Sequence, residues 1–140
     1  MTPEEAIAAR VLAVASALVS DRVYVDKVPQ SATYPLVRVQ LVHEPTDYHL
    51  KGGHRYRARV QVDAFAHESN GADPYAQVTQ LAETIHGDDA GSGLSGWTGV
   101  LGSPPFRVDS IQRIERTREY DPDELRLLRQ RQDYWIFFTH

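Results

Sequence analysis

From His54 to Ala66 the chain alternates with a period of two. Tyr56, Ala58, Val60, Val62 and Ala64 share one face of an extended strand, while Arg55, Arg57, Arg59, Gln61 and Asp63 share the other. A helix would scatter both sets around its axis, so this segment reads as a strand. It is also long, since strands usually run about five or six residues. Three arginines at i, i+2 and i+4 project from one side. Such a row meets solvent, a polyanion, or the acidic surface of another subunit, and the rest of the chain bears on which.

A chain of 140 residues builds one core, so residues 1–140 read as a single domain. Hydrophobic residues at 41% and charged residues at 24% match a soluble globular protein. No apolar run approaches the roughly 18 residues needed to span a bilayer. The acidic start Met1-Thr2-Pro3-Glu4-Glu5 has the character of neither a secretory signal nor a transit peptide. With no cysteine, disulfides, thiol catalysis and thiolate metal sites are excluded. Net charge is −4, and from Phe106 onward bases and acids balance, so the excess acid lies earlier in the chain. Nucleic-acid-binding domains are usually basic overall, and this one is not.

Thr2-Pro3-Glu4-Glu5 opens a helix: Thr2 caps it, Pro3 suits its first position, and Glu5 completes a capping box. Ile7, Val11, Val14, Ala15 and Leu18 continue it as an apolar stripe to about Ser20. Arg22–Val25 and Tyr34–Val42 read as strands, with Pro35 at an edge or start. His43–Gly53 then forms the loop of a long hairpin whose return arm is the opening segment. Asp73-Pro74 launches a second helix carrying Tyr75, Val78, Leu81, Ala82 and Ile85, which stops at Gly87. Gly87–Pro105 reads as a long loop with a short ordered piece around Trp97. Phe106–Glu119 reads as a bulged strand, Asp121–Glu124 as the cap of a helical turn through Leu128, and Asp133–Phe138 as a strand apolar on both faces. The order predicts an α+β fold: a mainly antiparallel sheet of about four or five strands, two helices on one face, and a long β-hairpin arm.

Chemistry-bearing motifs are sparse. His43, His49, His54, His67, His86 and His140 include no pair at metal-ligand spacing and read as surface residues. Gly91-Ser92-Gly93-Leu94-Ser95-Gly96 matches G-x-G-x-x-G literally, but a helix precedes it where the dinucleotide motif needs a strand. No serine sits in a nucleophile elbow. Asp88-Asp89 and Asp123-Glu124 fall where capping accounts for them. No catalytic residue, metal ligand or cofactor site is expected, and the chain does not read as an enzyme.

The arginine row admits three readings: a solvated or cross-strand-paired face, a subunit contact with a neighbour's acids such as Asp63, Asp88 or Asp89, or phosphate contact in a nucleic-acid-binding module. The row lacks interleaved exposed aromatics for base stacking. Trp135 and Phe137 alternate with Tyr134, Ile136 and Phe138, and one of these sets needs cover that a chain this small can lack. Arg55, Arg57, Arg59, Asp63, Trp135 and Phe137 are therefore the candidate subunit-interface residues.

A further reading rests on resemblance. The N-terminal helix leads into Asp21-Arg22-Val23-Tyr24, followed by the strand entry Tyr34-Pro35-Leu36-Val37 and a glycine-containing hairpin loop. Then come Arg59-Val60-Gln61-Val62-Asp63-Ala64-Phe65-Ala66, a helix holding Ala82-Glu83, and a closing Asp133-Tyr134-Trp135-Ile136-Phe137 strand. This order, from about Glu4 to Phe138, resembles the tail completion (tail terminator) proteins of long-tailed bacteriophages, prophages and gene transfer agents. The Gly87–Pro105 loop is longer than the family pattern, and Trp97 has no assigned counterpart there. The resemblance implies a structural virion subunit that forms a homo-oligomeric ring, commonly a hexamer, at the head-proximal end of the tail. It would assemble from the host cytoplasm, cap the tail tube, end its polymerisation, and meet the head-tail connector while DNA passes through the lumen. It implies no reaction, cofactor or membrane. A nucleic-acid-binding module and a neck or head-closure protein of the same particle are the alternatives.

Overall fold

The computed structural model describes residues 1–48, 55–68, 73–122, 124 and 126–139. His49, Gly52, Gly53, His54, Asp123 and His140, all read from sequence above, lie outside the described residues.

Helix α1 (Pro3–Val19) starts as its sequence dictates. The Thr2 hydroxyl accepts from the Glu5 amide at 3.3 Å, and the Glu5 carboxylate accepts from the Thr2 amide at 2.9 Å. Two of the four orphan amides of the first turn are thereby satisfied. Ile7, Val11 and Ala15 are buried, with Val14 and Leu18 packed partly against them. Helix α2 (Pro74–His86) is capped by Asp73, whose carboxylate accepts from the Tyr75 amide at 3.0 Å, and it ends at Gly87 with φ 68°. Val78, Leu81, Ala82 and Ile85 form its buried face, but Tyr75 is exposed, with the Arg118 guanidinium 4.3 Å from its ring centre.

Six strands make one sheet: β1 (Val23–Val25), β2 (Leu36–Tyr48), β3 (Arg55–His67), β4 (Gly99–Leu101), β5 (Phe106–Tyr120) and β6 (Leu127–Thr139). Their spatial order is β1-β2-β3-β6-β5-β4, and only the β1–β2 pair is parallel. Strand β3 is as long as its alternation implies, but β2 does not end at Val42. It runs on to Tyr48, inside the segment expected to be loop, because main-chain pairing with Arg55–Arg59 continues past the register shifts, and both strands hold 13 residues. Strand β6 pairs with β3 from Tyr56↔Phe138 to His67↔Leu127, so the return arm lies between two partners from Tyr56 to Phe65.

Both helices pack on the same side of the sheet. Ala58, Val60, Val62, Ala64 and Ala66 of β3, with Tyr134, Ile136 and Phe138 of β6, form the core beneath them. The opposite side carries no helix among the described residues. A smaller apolar cluster of Leu36, Phe65 and Leu127 sits at one end of it, joined by Tyr24, Val28, Ala32 and Tyr34. No helix among the described residues is long and apolar enough to cross a membrane.

Three further local expectations change. The sixth strand, β4, lies in the segment read as loop. Three residues following Thr98 carry no alternation signal, and main-chain pairing to Phe106–Val108 alone makes them a strand. The helical turn expected through Leu127 and Leu128 gives way to strand at Leu127: the Asp121 carboxylate accepts from the Glu124 amide at 3.2 Å, and the Asp121 amide donates to the Leu127 carbonyl at 2.9 Å. Strand β6 accordingly begins at Leu127, not near Asp133. Gln130 and Gln132, buried on the helix side, hid this extension because a polar residue in an inward position breaks the apolar alternation.

Candidate functional site

The helix-free face is built by cross-strand registration of four long strands. Reading across β2, β3, β6 and β5, its rungs are Leu36–Phe65–Arg129–Glu119, Arg38–Asp63–Arg131–Thr117, Gln40–Gln61–Asp133–Glu115, His43–Arg59–Trp135–Gln112 and Thr46–Arg57–Phe137–Ser110. All six residues singled out from the sequence fall on this one face. Arg57, Arg59, Trp135 and Phe137 occupy adjacent rungs, and Arg55 stands just beyond them.

The face satisfies most of its own charge. Arg38 donates to Asp63 through Nε at 3.2 Å and Nη2 at 2.7 Å, and the Gln61 amide donates to both oxygens of the same carboxylate. Asp63 is 0% exposed, so its charge is stabilised entirely by these neighbours. Arg59 reaches Asp133 at 2.7 Å. Arg129 pairs with Glu119, and Arg131 lies 3.6 Å from Glu115. The Arg57 guanidinium lies over the Trp135 ring, 4.5 Å from its centre, and His43 flanks the same ring at 6.3 Å.

These placements give the row a cross-strand partner within the chain, as one of the sequence readings had it. Asp63 is enclosed within its own chain by Arg38 and Gln61. Asp88 and Asp89 hold the Gly87–Pro105 loop: Asp88 accepts from the amides of Ala90 and Ser92, and Asp89 from the Ser95 hydroxyl. The acid that Arg59 meets is Asp133 of the adjacent strand. Sequence reasoning missed Arg38, Asp133, Arg131 and Glu115. The signal was present in Arg129, Arg131 and Asp133, which repeat the period-two pattern directly ahead of Trp135 and Phe137.

Of the two apolar sets on β6, Tyr134, Ile136 and Phe138 lie under the helices, and Trp135 and Phe137 remain half-buried on the bare face. Residual polarity is concentrated nearby. Asp133 is 3% exposed and its Oδ1 has no partner among the described residues, as is also true of the Nε atoms of Arg59 and Arg131.

The glycine-rich loop is structural. Arg10 of α1 donates to the carbonyls of Gly91 at 2.8 Å and Gly93 at 3.2 Å, and its guanidinium lies 4.9 Å from the Trp97 ring centre. Carbonyls, not amides, converge there, which is the wrong polarity for a phosphate cradle. His67 and His86 are half-buried, not on the surface as expected. His67 stacks on Tyr34 with centroids 5.7 Å apart, and His86 Nδ1 is 3.0 Å from the hydroxyl of buried Tyr134. Burial lowers the His86 pKa, as does Arg113, and it raises that of Tyr134. Among the described residues no group of three or more His, Asp or Glu side chains could hold a metal ion.

The class that emerges is a two-layer α+β subunit with a self-paired charged face. The same fold is found in a solved structure described as "Virion of native gene transfer agent (GTA) particle". One chain of it matches at TM-score 0.57 and 14% identity, with 100% of each chain covered. Residues 5–138 match the family model described as tail completion protein gp17. The chain belongs to that family, and it is a structural tail protein of phage-type virions. A search of curated proteins returns no match.

Proposed function

We propose that the chain is a non-catalytic ring subunit, hexameric in its assembled form, that caps the tail tube, ends its polymerisation and joins the tail to the head connector. Family membership supports the setting at the tail. The observation carrying the ring is the asymmetry of the two sheet faces. Helices cover one side while four long strands form the other, which leaves the second side available to line a central channel. The bare face then turns toward the lumen, and Arg55, Arg57 and Arg59 lie beside the DNA passing through it.

On this reading the arginines carry no sequence recognition. Arg59 is neutralised by Asp133 and Arg57 is spread over Trp135, so phosphate contact is weak and independent of sequence. The same pairing counts against a dedicated nucleic-acid-binding module. Native mass spectrometry with and without the cognate tail-tube protein tests the proposal. A closed ring, alone or on the tube end, is expected. Monomers under both conditions would overturn it.

A further inference from the structure

Both outermost strands are much shorter than the strands they border. Strand β1 covers only Val37–Val39 of β2, and β4 covers only Phe106–Val108 of β5. They stand at opposite ends of the sheet, because Val39 aligns through Val62 and Gln132 with Arg116, whereas Val108 aligns through Phe138 and Tyr56 with Asp47. Between these two short strands lies a window in which, among the described residues, no strand pairs with either edge at the same height. It runs from the rung Gln40–Gln61–Asp133–Glu115 to the rung Thr46–Arg57–Phe137–Ser110. The Ser110–Glu115 side of this window is about 17 Å long at ~3.4 Å per residue.

Unpaired main-chain donors and acceptors along such an edge are a template for another strand. Here the two edges also match one another. Strands β2 and β6 run one way, and β3 and β5 the other. A copy related by rotation about an axis along the strands therefore sets its β2 antiparallel to this subunit's β5. Strand β2 shifts register twice in its window, between Leu41 and His43 and between His43 and Thr46, and β5 shifts once; the first shift on β2 skips Val42, and that on β5, between Arg113 and Glu115, skips Ile114. Both are exposed large hydrophobic residues, at 45% and 39%. They flank the two ends of a single rung, Leu41–Val60–Tyr134–Arg113.

We infer that the Gln40–Thr46 edge of β2 pairs antiparallel with the Ser110–Glu115 edge of β5 in a second copy of this chain, bringing Val42 against Ile114 of that copy. The inference rests on the ring reading above and names the surface by which the ring closes. Two different edges meet head to tail, the heterologous geometry that closes into rings. Strands β1 and β4 act as stops that limit the contact to one register. The bulges, together with Pro45, which has no amide hydrogen to donate, keep unrelated strands off the edge.

The chain has no cysteine, so engineered cysteines report without background. Val42→Cys with Ile114→Cys in one chain, oxidised mildly or treated with a short bis-maleimide, is expected to give a covalent ladder ending at the ring's own subunit number. Neither single variant should link, because two copies of the same edge do not meet. Ile114→Lys is expected to dissociate the ring by more than tenfold in midpoint concentration while leaving the circular dichroism spectrum and Tm of the subunit unchanged. A ring seen by native mass spectrometry that gives no ladder with either reagent and tolerates Ile114→Lys would overturn the edge pairing and leave the ring standing. Monomers alone, even with tail-tube protein, would overturn both.

Discussion

Arg59 places its guanidinium 2.7 Å from the carboxylate of Asp133, a residue 74 positions later in the chain and almost wholly buried. The pair joins the hairpin to the terminal strand across the middle of the bare face. It turns what looks in one dimension like a free basic row into part of an internally neutralised lattice, with Arg38–Asp63 one rung away on the other side of Gln61.

Removing one partner of this pair is more damaging than removing both. Arg59→Gln leaves a buried carboxylate short of its donor and is expected to cost about 1–3 kcal/mol, toward the low end because the arginine is partly solvated. Adding Asp133→Asn should recover much of that loss. Urea denaturation of the single and double variants measures the coupling, and strictly additive effects would contradict it.

Gly93 is required by space. A Cβ there would lie 2.4 Å from the Ile85 carbonyl oxygen and 2.7 Å from the Gly87 amide nitrogen, both main-chain atoms that cannot turn away. Gly93→Ala is expected to lower stability by about 2 kcal/mol or more, visible as a fall in Tm by calorimetry.

His86 makes stability depend on pH in a defined direction. Its pKa in the folded chain lies below the ordinary 6.5, first because of burial and then because of Arg113, against a smaller opposing pull from Asp89. The folded state therefore binds fewer protons than the unfolded one. Its stability is full above pH 6.5 and declines as the pH falls through that value toward the folded pKa. Urea midpoints taken from about pH 7.5 to about pH 5 should show this decline, and His86→Gln should flatten it.

Thr2→Ala removes the acceptor for the Glu5 amide at the start of α1. A loss of about 1 kcal/mol is expected, with hydrogen exchange rising in the first turn of the helix and little changed near Ala15.

The helices were legible because their signals are local: a cap, a proline at the first turn and an apolar stripe at helical spacing. The alternation of β3 was legible for the same reason, and it placed Arg55, Arg57 and Arg59 on one face. Strand β4 was not legible, since three residues following Thr98 become a strand only when β5 lies beside them. The first half of β6 was obscured by Gln130 and Gln132. These are buried polar residues whose amides are answered by Arg118, Arg113 and the Ala82 carbonyl from distant parts of the chain.

The sequence by itself determined the two helices and their starts, the two faces of β3, the absence of thiol chemistry and the likeness to tail completion proteins, because each depends on residues near one another or on composition. Only the tertiary structure decided that β6 lies beside β3, and this follows from pairings between residues about seventy positions apart. That adjacency set Trp135 beneath Arg57 and Asp133 beside Arg59, and it left edges of β2 and β5 at the same height that no strand among the described residues pairs with. Side-chain alternation records which way a strand faces, but main-chain hydrogen bonding, which is nearly the same for every residue, leaves no trace in sequence of which strand becomes its neighbour.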